Sequence, residues 1–195
     1  MVQSELTAVN AMLTAIGDTP VNDLTVIHSD IQAAQNILED HNIALQSEGW
    51  YFNTENWEYT LDVDGKQALP SNTLFANTTN ANLVKRGSYI YDLENHTYNL
   101  STRDLTDNYI LLVTQLDLDE LPYLAYSVIV ARAKMQFITE LESDSEKVKL
   151  MAQSERNMYY QLKKLNLQFS EPNALQSPAA IRLLRGTQYY SIYRR

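Results

Sequence analysis

The sequence contains no cysteine, which excludes a disulfide framework and any thiolate chemistry. Its five glycines are scattered and form no phosphate-cradling loop. Its three histidines, His28, His41 and His96, show no metal-ligand spacing, and the serines lie in no nucleophile elbow. No run approaches the roughly 18 apolar residues of a membrane helix. The opening MVQSELTAVNAML lacks a basic stretch followed by an apolar one, so no signal peptide is read. The expectation is a soluble protein made in a cytoplasm, with no catalytic, cofactor or metal site.

Cations are also scarce. The net charge is −9, from 15 Lys and Arg against 24 Asp and Glu. Tight wrapping of nucleic acid needs cations for the phosphates, so this balance argues against it and leaves only loose passage. The charge is uneven. Residues 1–171 hold all 24 acids and 11 of the 15 cations, a balance of −13, whereas residues 172–195 hold four arginines and no acid. A basic tail on an acidic body points to a different surface for the tail.

What is present organises into helices and strands. Leu6, Val9, Leu13 and Ile16 recur at helical spacing and predict a helix over 5–16, capped by Ser4 and ended by Gly17. Ile31, Ala34, Leu38 and Leu45 predict a second over 30–48, with Asp30 as cap and Gly49 as stop. A third is expected over 121–142, with Pro122 in its first turn. It has one stripe of Leu121, Leu124, Val128, Ala131, Met135 and Ile138. A second stripe, Tyr126, Val130, Ala133 and Phe137, marks it as central to a bundle. The fourth is expected over 145–168, with Glu155 inside the apolar row of Val148, Met151, Met158, Leu162 and Leu165. "ESDSE" (142–146) is the turn between them.

Residues 50–63 and 83–116 read as strands. Asp64-Gly65 is the expected turn of a hairpin after "YTLDV". "SYIYDLENHTYNLST" (88–102) reads as a second hairpin around Glu94-Asn95, and "NYILLVTQL" (108–116) as a final strand. "PSNTLFANTTNAN" (70–82) reads as loop. This block order predicts an α+β fold: a four-helix bundle-like α domain (1–49 and 117–170), an inserted small antiparallel β domain (50–116) and a C-terminal arm (171–195).

"EGWYFNTENWEY" (48–59) holds both tryptophans. Trp50 and Phe52 are expected on one face of an emerging strand, and with Trp57 they form the candidate domain junction. A subunit interface and a ligand platform remain open for the same cluster. Glu55, Glu58, Asp62 and Asp64 lie nearby, and two carboxylates beside aromatics also describe a glycosidase. The three N-x-S/T triplets at 77–79, 95–97 and 99–101 carry no meaning without secretion. An acid within an apolar row needs a partner, so Arg132 and Glu155 are read either as an interhelical pair or as two solvent-facing charges. In the tail, Pro172 and Pro178 break any helix. Ile181, Leu184 and Ile192 are too apolar for a solvated tail. Arg182, Arg185, Tyr189, Tyr190, Tyr193, Arg194 and Arg195 make a candidate partner-binding arm, disordered or swung out in the free protein. A short fifth helix packed on the bundle is the alternative.

Five stretches in order, "ELTAVNAMLTAIGDTPV", "SEGWYFNTE", "ALPSNTL", "LVKRGSYIYDLENHTY" and "LDLDELPYLAYSVIVARAKMQF", resemble the tail tubular protein A family of short-tailed phages. The resemblance spans about residues 4–165. It implies a helical bundle with a β domain and no catalysis or cofactor. It implies a structural protein of the virion tail, a head-to-tail adaptor. Copies of it would form a ring, usually dodecameric, between the portal and a hexameric nozzle protein (tail tubular protein B), with tail fibres near that junction. DNA would pass through the centre during ejection. The competing readings are a tail-associated glycan hydrolase using carboxylates near Trp50 and Trp57, and a monomeric binding module of cellular origin.

Overall fold

Ser4 starts the first helix as expected: its hydroxyl accepts from Thr7 N at 3.2 Å, satisfying a donor of the first turn. Helix α1 spans Glu5–Ala15. Gly17, at φ +82°, ends it, with its own N–H on Thr14 O and Asp18 N–H on Leu13 O. The computed structural model describes residues 3–25, 28–106, 108–141 and 145–170. The arm residues Arg182, Arg185, Tyr189, Tyr190, Tyr193, Arg194 and Arg195, with Pro172 and Pro178, lie outside the described residues.

Helix α2 spans Ser29–Gln46 and is capped by His28, not Asp30; His28 Nδ1 accepts from Asp30 N at 3.3 Å. Strands β1 (Thr54–Glu58), β2 (Thr73–Thr78), β3 (Leu83–Arg86), β4 (Tyr89–Asp92) and β5 (Tyr109–Thr114) follow. Helices α3 (Tyr123–Leu141) and α4 (Ser145–Ser170) close the described chain. The fold is therefore α+β, a helical part with a small β part inserted between α2 and α3.

The strands assemble antiparallel, in the order β1-β5-β2, with β3-β4 as a separate pair. β5 is central, opposite Trp57 at Ile110 on one side and Ala76 at Leu112 on the other. Three expectations fail here. β2 lies inside the stretch read as loop, because its polar residues sit on an edge strand where one side stays wet. Asp64-Gly65 turns a loop rather than a strand hairpin, since residues 59–66 pair with no strand. The tight hairpin falls at Gly87, between β3 and β4, while the Glu94-Asn95 turn closes on the single bridge Asp92–Thr97.

Two apolar clusters result. One gathers α1, α2 and α3 with Leu162 of α4 and Trp50. The other gathers Leu69, Ala76, Leu83, Ile90, Leu100, Ile110 and Leu112 around the strands. α3 packs against the other three helices. Of its fully buried positions, Val128, Ile138, Ala133 and Phe137 come from the two expected stripes, while Ala125 and Ile129 lie in neither, as a helix enclosed on several sides allows. Pro122 stands just before α3 rather than in its first turn, and its carbonyl accepts from Tyr126 N at 3.1 Å.

Candidate functional site

Gly49, at φ +73°, turns the chain out of α2, and a Cβ there would press on Val113 at 3.3 Å. The next four residues form a turn rather than the expected strand. The reason is Asn53, whose side chain competes with strand pairing. Its Oδ1 accepts from Trp50 N at 2.8 Å, and its Nδ2 donates to Gln46 O and Thr114 O, each at 2.9 Å. Gln46 repeats the device: Nε2 donates to Leu116 O at 2.9 Å and Oε1 accepts from Leu116 N at 2.8 Å. Two buried amides thus tie the end of α2, the entry to β1 and the exit of β5 into one joint. Sequence reading missed both, because their partners lie up to 70 residues away.

The aromatic cluster divides at this joint. Trp50 is buried among the helices and donates Nε1–H to Leu45 O at 2.7 Å. Phe52 stacks on it at 6.3 Å, and Tyr159 of α4 meets it edge-on at 6.0 Å. Tyr51 stacks on Phe169 at 4.6 Å, and its N–H donates to Asn166 Oδ1 at 2.7 Å. Trp57 sits apart, on β1 against the strand cluster.

Beside the joint lies a charged seam. Arg132 Nε donates to Glu155 Oε1 at 2.7 Å, and Nη1 stands 3.8 Å from Glu48 Oε1. The guanidinium also covers the Tyr159 ring at 4.5 Å, and the Tyr159 hydroxyl donates to Glu48. Of the two readings of Arg132 and Glu155, the interhelical pair is the one realised. His41, nearby, holds Gln136 at 2.8 Å, and burial lowers its pKa.

The carboxylates near the tryptophans serve other ends. Glu55 and Glu58 are exposed on β1. Asp62 Oδ1 accepts from Asp64 N and Lys66 N, and Asp64 pairs with Lys66 at 3.3 Å. The groove beside Glu58 is lined by Tyr59, Leu61, Leu105, Asn108 and Tyr109, and among the described residues it holds one carboxylate where glycoside hydrolysis needs two. The best-held acid is Asp92, buried under a two-bond clasp from Arg103 at 2.6 Å, which holds its carboxyl well below the usual range. Among the described residues no His, Asp and Glu group of three could hold a metal. No described helix is long and apolar enough to cross a membrane.

A family model described as tail tubular protein matches residues 6–171, well over half of the chain. A comparison with curated proteins finds no match. The chain belongs to the tail tubular protein family, the structural proteins of phage tails, as the resemblance in its five stretches implied.

Proposed function

We propose that this protein is a ring-forming head-to-tail adaptor, set in the virion between the portal and the tail nozzle, with tail fibres attaching close by. The family match over residues 6–171 carries the reading. Charge supports it. A body with a balance of −13 over residues 1–171 lines a channel without gripping DNA, because cations are what trap phosphates. Surface apolar residues support side-by-side contact. Tyr160 and Leu167, seven residues apart on α4, are 73% and 65% exposed. A ring follows when copies meet head to tail through unlike surfaces and the rotation closes.

The proposal divides the chain into a helical unit (1–49 and 117–170), a β unit (50–116) and an attachment arm (171–195), and assigns no catalytic role. Synthesis is in the host cytoplasm. The test is electron microscopy and scattering of the purified protein with and without its portal. Rings on the portal, twelve copies each, are expected. Monomer alone in the presence of portal overturns the reading.

A further inference from the structure

Two surfaces far apart in sequence complement each other. The first is a groove of about 300 Å³ between α1, α3 and α4, walled by Ala11, Val130, Ala131, Met151 and Met158. It runs on into a second hollow that shares Ala11, Lys134 and Met151. Lys147 closes that end by donating to Ala15 O. Lys134 stands in the groove, part-buried, with no ion pair or hydrogen bond among the described residues. Burial and the neighbouring Lys147 lower its pKa. An apolar trough whose Lys134 meets no acid among the described residues asks for an apolar group carried beside an acid.

The second surface supplies that, with two acids against one cation, Lys66, whose pairing with Asp64 at 3.3 Å is exposed and weak. Val63 is fully exposed at the tip of a turn, between Asp62 and Asp64. The turn is braced from within. Asp62 N donates to Lys66 O and Gly65 N to Asp62 O, both at 2.9 Å, and Asp62 Oδ1 takes two more backbone donors. Gly65 is buried beneath, at φ +75°, and its carbonyl accepts from Leu100 N. An apolar side chain held out on a rigid acidic turn loses little entropy on docking.

We infer that the Val63 turn of one copy seats in the α1–α3–α4 groove of the next, with Asp62 or Asp64 answering Lys134. The contact is heterologous, since knob and groove lie on different parts of the chain, and this is the type that closes rings. The inference rests on the ring reading above and names the surfaces that make it. The chain's own residues 172–195 fit this groove poorly, because their four arginines and lack of acid would repel Lys134.

The absence of cysteine makes the test direct. Val63→Cys protein is mixed with Ala131→Cys protein in the presence of portal and oxidised mildly. Disulfide-linked pairs containing one of each are expected, and a ladder of multimers from the double variant. A second arm uses charge. Asp64→Lys and Lys134→Glu each raise the concentration needed for assembly by about tenfold or more, and the two together restore it. Melting curves of the monomers check that each variant folds. Wild-type rings without cross-linked pairs overturn the contact and leave the ring reading standing. Failure of wild type to form rings on portal, with no pairs, overturns both. Cross-links from Ala131→Cys to the portal instead, or a charge swap that restores nothing, overturn the second copy as occupant.

Discussion

Arg132 on α3 and Glu155 on α4 meet at 2.7 Å, with their side chains 24% and 10% exposed. The pair sits between the regimes in which ion pairs are nearly worthless and in which losing one partner is severe. Arg132 also rests on Tyr159 and keeps Glu48 within 3.8 Å, so it is not stranded when Glu155 is removed. Glu155→Ala should therefore cost about 2 kcal/mol, between those limits. In a chain of this size that lowers Tm by roughly 4–8 °C. Arg132→Met with Glu155→Leu should recover most of the loss, since a buried pair can be replaced by apolar packing. Thermal melts of the wild type and the two variants decide it; a double variant as weak as Glu155→Ala would mean the charges matter beyond their mutual contact.

This pair was half legible in the sequence for a local reason: Glu155 broke an apolar row, which named the pair as one of two readings, and the packing of α3 on α4 decided between them. The helices were legible likewise, since a period of 3.6 is written in neighbouring residues. The strand partners were not. β1 and β5 pair Trp57 with Ile110, and nothing near either residue names the other. β2 hid because "TLFANT" is polar enough for a loop and its bulge at Thr73–Phe75 breaks the alternation. Val63 was read as the end of a strand, and its exposure appears only once the turn over Gly65 is built.

Asn53 carries the joint between the helices and the strands. Asn53→Ala removes the partner of Trp50 N–H and one donor from each of two carbonyls, Gln46 O keeping the Gly49 N–H at 3.1 Å, all of them in a buried setting. Unsatisfied buried groups cost about 1–3 kcal/mol each, and relaxation recovers part of it, so a loss of about 2–4 kcal/mol is expected. Chemical denaturation should show a lower midpoint with an unchanged slope. Fluorescence of Trp50 should shift in the native state as well, because its turn loosens. A variant with wild-type midpoint would show that the clamp is ornamental.

Asp92 gives the fold a definite response to acid. The Arg103 guanidinium holds its carboxyl well below the usual range, and Asn95 and Glu94 backbone donors add to this against the opposing effect of burial. Because the folded pKa lies below the unfolded value of about 3.9, the stabilisation is fully present above that pH. It declines as pH falls from there toward the folded value. Asp92→Asn should lower Tm at pH 7, and the gap from wild type should narrow steadily below about pH 4. Melts between pH 7 and pH 2.5 test this. A gap that stays constant with pH would assign the loss to packing alone.

The proposed arm is separable from the body by truncation after Glu171. The described helical cluster already encloses α3 on several sides and seats Leu162 of α4 fully buried. Residues beyond Glu171 carry Arg182, Arg185, Arg194 and Arg195 with no acid, opposite in sign to the net charge of residues 1–171. Arginine forks suit carboxylates on another surface, either the neighbouring copy or the portal. Ile181, Leu184, Tyr189, Tyr190, Ile192 and Tyr193 give such an arm apolar area to bury there. The truncated monomer should melt within about 2 °C of the full chain, a change under about 1 kcal/mol. Ring formation on the portal should be lost, and raising salt should weaken the full-length complex, as charge pairing between exposed groups is screened. If the truncated monomer instead melts many degrees lower, the segment belongs to the core of its own chain and the arm assignment falls.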